Sequence, residues 1–300
     1  MMKICCVGIS VQDRIFSLDS LPGTEGKYFA KSFKEQGGGP AATAAVTCAR
    51  LGADTDLIAR VGDDSTGKGI VAEIAAENVN TNNMIIVPGA TSTQASILVD
   101  THGHRIIVSY PSPDLPSTPA ALENIDFSQY DAVLADVRWH EGALKAFYLA
   151  KKAGVPTVLD ADVTPQPIGE LVALASHSIF SEPGLKKFAG TDDLNEALCF
   201  AASKTEGRVY VTLGDAGYSY VKKDKIRSAT SFKVDVVDTT GAGDVFHGAF
   251  AYALCCPEMS TGERLRFAAA TAALKCTKQG GRSGIPDLNE VKKFCSEYDL

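Results

Sequence analysis

The sequence of 300 residues has no CxxC pair, no GxxxxGK[ST] phosphate loop and no GxGxxG after its first apolar segment. No apolar run approaches the roughly 18 residues that a membrane span requires. A zinc ribbon or dithiol redox centre, a P-loop NTPase, a dinucleotide-binding dehydrogenase and a membrane protein are thereby disfavoured. Basic charge is the minority sign, 29 Lys and Arg against 36 Asp and Glu, for a net charge of −7 and a pI near 5.3. Such a chain has no general attraction to nucleic acid or anionic membranes, so any anion must be met by a local pocket. Internal repeats, low-complexity tracts and Pro/Ser-rich linkers are absent as well, which predicts one continuous domain over residues 1–300. The opening Met1–Gly8 is too short an apolar run for a signal peptide, and the expected location is the cytoplasm.

What is present suits a packed globular protein: 45% hydrophobic and 22% charged residues supply a large core. The eight cysteines form two adjacent pairs, Cys5/Cys6 and Cys255/Cys256, plus Cys48, Cys199, Cys276 and Cys295. Most lie inside apolar runs, the pattern of free buried thiols in a reducing compartment. Lys222–Arg227 and Lys292–Lys293 are basic clusters read as solvated faces.

Apolar periodicity alternates between strand and helix. Strands are predicted at Lys3–Ile9, Leu57–Val61, Asp131–Ala135, Thr157–Asp160, Ile179–Phe180 and Arg208–Leu213. Helices are predicted at Pro40–Leu51, Thr66–Asn78, Gly142–Ala153, Ile168–Ser176, Asp193–Ser203, Ala242–Leu254, Gly262–Cys276 and Leu288–Cys295. Two excursions interrupt the rhythm with strands that have no helix between them: Tyr28–Glu35, and Thr93–Val99 joined through a turn at Asp100–Gly103 to Arg105–Tyr110. A further hairpin is expected from Tyr218–Lys222 and Ser228–Val234. The fold class is α/β, with a mainly parallel central sheet, helices on both faces and a small second sheet. In such sheets ligands bind at the carboxyl ends of the strands.

The densest chemical signal is Asp238-Thr-Thr-Gly241-Ala242-Gly243-Asp244, followed by Val245-Phe246-His247-Gly248. Two glycines around an alanine let the backbone approach a ligand where a helix begins, and a helix N-terminus offers unpaired N–H donors to a phosphate. A carboxylate at Asp244, in the first turn, stands where it could take a proton from an attacking alcohol. By itself the segment is equally a structural turn with Asp244 favoured by the helix dipole.

In context, DTTGAGDxFxG resembles the carboxyl-terminal signature of the ribokinase-like (PfkB) carbohydrate kinases, and a first signature is recognisable in Gly37-Gly38-Gly39-Pro40-Ala41-Ala42-Thr43. The resemblance spans nearly the whole chain. It implies a ribokinase-like fold whose small β-sheet is a lid, built from excursions at about residues 12–36 and 92–112. It makes Asp244 the general base and Gly241, Ala242 and Gly243 the anion hole, with ATP and Mg2+ as cofactors. Asp13, Gly38, Gly39 and Thr43 fall at sugar-binding positions, Thr43 replacing the family's usual asparagine. Ser181, Thr212, Gly214, Gly217, Cys276 and Gly281 fall on the nucleotide side. Where many members carry NxxE for magnesium, this chain has Ser181-Glu182-Pro183-Gly184, so Glu182 is the carboxylate left for the metal, through water. The resemblance also implies a homodimer paired through lid strands.

Within that family, Ser109–Leu115, Ala135–His140, Asp162–Gln166 and Gly280-Gly281-Arg282 are similar to the sulfofructose kinases, which phosphorylate the 1-hydroxyl of 6-deoxy-6-sulfofructose. The resemblance puts Lys27, Arg138 and Ser109 around the sulfonate, with Arg105 as a further cation in the lid. Fixed guanidinium and ammonium donors suit a group that is ionised at every cellular pH. The core motifs leave fructokinase, ribokinase and sugar-phosphate kinase as competing acceptors, and a catalytically inactive sugar- or nucleotide-binding regulator as a different class of answer.

Overall fold

The run Lys3–Gly8 (β1) has five consecutive buried residues, so it must be covered on both faces and paired on both edges. The computed structural model, which describes residues 2–223 and 225–298, builds the rest of the chain around it. Met1 of the opening segment and Asp224 of the basic cluster lie outside the described residues. After β1 come β2 (Val11–Ser17), β3 (Ser32–Gly38), α1 (Pro40–Arg50), β4 (Asp54–Gly62), α2 (Ser65–Ala76), β5 (Val79–Asn80) and β6 (Ile85–Val87). The middle of the chain forms β7 (Gln94–Val99), β8 (Arg105–Tyr110), β9 (Ala132–Asp136), α3 (His140–Lys152), β10 (Thr157–Ala161), α4 (Gly169–Leu174) and β11 (His177–Ser181). It continues through α5 (Glu182–Ala189), α6 (Leu194–Ala202), β12 (Arg208–Thr212), β13 (Tyr218–Lys222), β14 (Lys225–Ala229), α7 (Ala242–Leu254), α8 (Thr261–Cys276) and α9 (Leu288–Ser296).

Ten strands form the main sheet in the order β14-β13-β12-β11-β10-β9-β1-β4-β5, with β6 also on β4. All pairings are parallel except the β12-β13-β14 edge. The chain leaves β1 toward β4 and returns on the other side at β9, so the strand order reverses between β1 and β9. In open α/β sheets ligands bind outside the carboxyl ends of the strands at such a reversal. One face is covered by α1, α2, α7 and α8, the other by α3 to α6. The alanines of α1 allow close packing on α7: a Cβ on Gly248 would stand 2.6 Å from the Ala44 carbonyl oxygen. Among the described residues no helix is long and apolar enough to cross a membrane.

The second sheet, β3-β2-β7-β8, pairs β2 with β7 in parallel and its other neighbours antiparallel. The excursions at 12–36 and 92–112 contribute these strands, but two bounds differ from expectation. The first lid strand is Ser32–Gly38 rather than Tyr28–Glu35, because its glycines are ladder residues opposite Val11 and Gln12. Its partner β2 carries too weak an alternation to be read in advance. The second strand of the late hairpin is Lys225–Ala229, not Ser228–Val234, its register pairing Lys222 with Lys225 and Tyr218 with Ala229. Helix α5 was also unexpected, since Pro183-Gly184 reads as a breaker. Proline is favoured in a helix's first turn, and Gly184 is required there: a Cβ would lie 2.6 Å from the Ala161 carbonyl oxygen.

Candidate active site

The N-terminus of α7 is delivered by Gly241, whose φ of 74° is in the left-handed region that glycine tolerates. Val245 N closes the first helical turn onto Gly241 O at 2.9 Å, and the Ala242 amide donates to Thr239 O at 3.1 Å. Among the described residues the amides of Gly241, Gly243 and Asp244 donate to no protein group. Of the expected Gly241, Ala242 and Gly243, the first and third amides are free, the turn bond to Thr239 occupies that of Ala242, and the Asp244 amide is a further free donor. Asp244 is half-buried beside them. Burial pushes its pKa up to about 7, the charges of Asp160, Asp136 and Asp162 add to the shift, and His247 opposes it.

Those carboxylates line the ends of β9 and β10. Asp136 Oδ2 accepts the amides of Ile9 at 2.9 Å and Ala41 at 3.0 Å, and its Oδ1 accepts Arg138 N at 2.8 Å. One buried side chain thus ties the end of β1, the start of α1 and the end of β9 together. Gly8 leaves the room it needs, since a Cβ there would run into the Asp136 carboxylate. Behind α7, His247 Nδ1 is 2.6 Å from Gly243 O, its Nε2 is 3.2 Å from Ile179 O and 3.6 Å from Asp160 Oδ1. Burial raises the pKa of Asp160 and lowers that of His247. Roles for Asp136, Asp160 and His247 were missed from sequence. The available signal was a carboxylate ending an otherwise apolar strand, in Ala-Val-Leu-Ala-Asp136 and Thr-Val-Leu-Asp160-Ala.

On the lid side, Asp13 fills the space beside Gly38 where a Cβ would otherwise sit. Burial pushes the Asp13 pKa up to about 6, Arg282 opposes the shift and Glu73 adds to it. Arg282, only 4% exposed, donates to Gly38 O at 2.6 Å and approaches Glu73 Oε1 at 3.3 Å, while Glu73 accepts the Gly37 amide at 3.0 Å. Arg282 and Glu73 thus brace the glycine loop, a function that the sequence did not announce. Gly39 has φ 95°, and buried Thr43 donates its amide to Gly39 O at 2.9 Å. A Cβ on Gly241 would lie 3.6 Å from the Thr43 methyl and 3.9 Å from Gly281 Cα, so Thr43, Gly241 and Gly281 converge.

The four polar residues proposed around the acceptor are placed differently from one another. Arg138, at the carboxyl end of β9, donates to Asp162 Oδ2 at 2.9 Å and is partly exposed. Arg105 reaches Thr240 Oγ1 at 3.1 Å. Ser109 is exposed on β8 opposite Ala95. Lys27 is exposed in the segment before β3, its ammonium 5.9 Å from the Phe29 ring centroid, and the structure does not bring it to the residues above.

On the other side of the sheet, Ser181 caps α5, accepting Gly184 N at 3.1 Å and donating to Asp162 Oδ1 at 2.8 Å. Thr212 donates to Phe180 O at 3.3 Å, and Gly214 and Gly217 take φ of 60° and 100° in the turn that follows β12. The Cys276 carbonyl accepts the amides of Val237 at 2.8 Å and Asp238 at 3.1 Å. Glu182 is paired with Lys186 at 2.7 Å. No group of three His, Cys, Asp or Glu among the described residues is arranged to hold a metal. Magnesium that rides on nucleotide phosphates needs only one or two carboxylates and water, and partly exposed Glu182 and Asp162 fit that requirement.

A family model described as pfkB family carbohydrate kinase matches residues 1–288. The ribokinase of Bacillus subtilis (strain 168) is 30% identical over 301 residues, covering 99% of this chain and 100% of the relative. Fructokinase-1 of Oryza sativa subsp. japonica is 28% identical, covering 92% of this chain and 94% of its own. The structure of Arabidopsis thaliana ribokinase complexed with ribose and ATP superposes with a TM-score of 0.83 at 26% identity, covering 98% of each chain.

Proposed function

From the premise that this chain belongs to the pfkB family of carbohydrate kinases, and so moves phosphate from ATP to an alcohol, we propose that its acceptor is an anionic sugar, 6-deoxy-6-sulfofructose, at the 1-hydroxyl. In this reading Asp244 takes the hydroxyl proton as the γ-phosphoryl group moves. The free amides of Gly241, Gly243 and Asp244 face the negative charge that moves with it. Asp13 and the Gly38–Gly39 backbone hold sugar hydroxyls, and Thr43 closes the floor. Ser181, Thr212, Gly214, Gly217, Cys276 and Gly281 flank the nucleotide. Magnesium supplies charge neutralisation on the phosphates, with Glu182 and Asp162 the residues that would hold it through water.

The observation that carries the acceptor is Arg138, whose backbone is held just past a strand's carboxyl end by the bond from its amide to Asp136 and whose guanidinium is partly exposed there, donating to Asp162. Its planar donors match a sulfonate, Ser109 on the lid adds a hydroxyl, and Lys27 joins them in this reading only by movement of the segment before β3. ATP turnover measured with 6-deoxy-6-sulfofructose, fructose, fructose 6-phosphate and ribose tests this. The sulfosugar is expected to have the highest kcat/KM, and Arg138→Ala to raise its KM roughly 10- to 100-fold, the worth of a charge-assisted hydrogen bond, while sparing fructose. A higher kcat/KM on fructose or ribose overturns the acceptor and leaves the phosphotransferase intact.

Fructose or ribose is the second reading, favoured by one observation: Arg138 already has a carboxylate partner in Asp162, so a neutral sugar needs no anion clamp. Relatives named ribokinase and fructokinase support it. In either case we read the whole chain as one catalytic domain with its lid at 12–36 and 92–112, working in the cytoplasm with its eight thiols free. The lid's outer edge, where β8 exposes Ile107, Val108 and Tyr110, supports a homodimer through lid strands.

A further inference from the structure

Lys275, in the last turn of α8, has its side chain wholly enclosed, 0% exposed. Lysine is almost never fully buried unless its charge is paired. Yet among the described residues no carboxylate oxygen lies within 4.0 Å of this ammonium. Among those residues its one hydrogen bond runs from Nζ to the backbone carbonyl of Asp238, at 2.8 Å, and two of its three N–H donors have no partner there.

The carbonyl it grips opens the loop that delivers Gly241, Gly243 and Asp244. The carboxylate of Asp238 accepts the Thr240 and Gly280 amides, each at 2.9 Å, which holds that loop against the turn after α8. The Cys276 carbonyl takes the Val237 and Asp238 amides from the same side. Burial pulls the Lys275 pKa down, Asp238, Cys276 and Asp244 push it back up, and Arg105 lowers it further. A neutral methylene side chain of the same length would pack here without the cost of desolvating a charge. Retaining an ammonium makes physical sense where negative charge builds nearby.

We propose that Lys275 is a positioning residue for phosphoryl transfer: its ammonium sets fixed positive charge beneath the Asp238–Gly243 loop and, through that loop, favours the charge that develops at the free amides. The inference rests on phosphoryl transfer at this loop and is independent of the acceptor sugar.

The test compares Lys275→Met, Lys275→Ala and Asp244→Asn with the wild-type enzyme for kcat, KM for ATP and thermal unfolding midpoint. Lys275→Met is expected to keep KM for ATP within about threefold and to lower kcat by roughly 10- to 100-fold, less than the loss of a donor in direct contact. Ammonium chloride should restore part of the Lys275→Ala turnover, with sodium chloride at equal concentration doing so less and neither salt changing the wild type. A folded Lys275→Met enzyme with kcat within about twofold of wild type, or rescue by both salts alike, overturns the proposal. Full turnover in Lys275→Met beside lost turnover in Asp244→Asn removes the role of Lys275 and leaves the kinase site standing. Should neither of these variants fold, Lys275→Gln decides: a lower kcat at unchanged KM for ATP supports the role of the charge, and an unchanged kcat with a lower midpoint overturns it.

Discussion

Arg105, at the start of lid strand β8, donates from Nη1 to the hydroxyl of Thr240 at 3.1 Å, so the lid is fastened to the residue that precedes Gly241. The neighbouring lid strand β3 leans on the same region, since a Cβ on Gly280 would lie 3.2 Å from Lys34 Nζ and one on Gly281 3.5 Å from Gln36 Nε2. The lid and the loop that carries the free amides therefore meet through side chains from two lid strands.

Losing that fastening should cost about 1 kcal/mol, the net worth of one exposed hydrogen bond, or roughly fivefold in kcat/KM for the sugar. Arg105→Ala should also raise ATP hydrolysis in the absence of sugar, because a loosened lid admits water to the phosphate. Steady-state kinetics of both reactions check this. Unchanged hydrolysis with an unchanged sugar kcat/KM would mean that the contact does not govern closure.

Asp244, the proposed base, is expected to set the pH dependence. A carboxyl group whose pKa is raised from 3.8 to about 7 is protonated below that value and cannot accept the hydroxyl proton, so kcat/KM should climb with pH through about 7 rather than about 4. Its contribution to stability runs the other way. The folded chain binds this proton more tightly than the unfolded chain, so the contribution is complete below 3.8 and is lost as pH rises through about 7. Asp160→Asn removes the largest charge contribution to the shift and should move the acid limb of kcat/KM to lower pH. Asp244→Asn should bind ATP yet lose roughly 10²-fold or more in turnover. Rate profiles from pH 5 to 9, on the order of two units either side of the raised pKa, read both effects.

How far the sequence alone reached depends on the distance between partners. The GAG turn and Asp244 lie within four residues of each other, so their joint meaning is local and could be read directly. The same holds for the strand and helix alternation, which apolar periodicity encodes segment by segment. Asp136 is different: it takes the Ala41 amide from 95 residues away, and Arg282 meets Glu73 across 209. Neither bond leaves a trace in local spacing. β2 and α5 were hidden for another reason, since their side chains are fixed by the lid ladder and by Gly184 packing on Ala161 rather than by their own periodicity.

Arg282 offers a test of the long-range part. Arg282 is buried but its partner Glu73 is 36% exposed, so Arg282→Met should cost about 1–2 kcal/mol, the worth of its hydrogen bonds, and lower the unfolding midpoint by a few degrees. It should also act on Asp13, whose pKa of about 6 is held down by this guanidinium against burial. Without it the Asp13 carboxyl titrates higher, and the rise in sugar KM on acidification should begin at higher pH than in the wild type. A variant with a lower midpoint and an unmoved KM profile would assign Arg282 to the fold alone.

The lid's outer edge makes a last, separable claim. Every residue of β8 is exposed, and Ile107 and Val108 leave 53% and 61% of their surface in solvent. An unpaired strand edge with apolar side chains on both faces is a template for a second strand, which proteins otherwise blunt with charge or proline. The homodimer reading therefore predicts a concentration-independent dimer in sedimentation velocity. Ile107→Lys should convert it to monomer while leaving the unfolding midpoint of the main sheet unchanged, because Ile107 pairs only with Ile97 of the lid. Kinetics of the monomer then separate two roles for the interface. A raised sugar KM at constant ATP KM means that the partner holds the lid in its closing position, whereas unchanged constants mean that association covers apolar surface without serving the reaction.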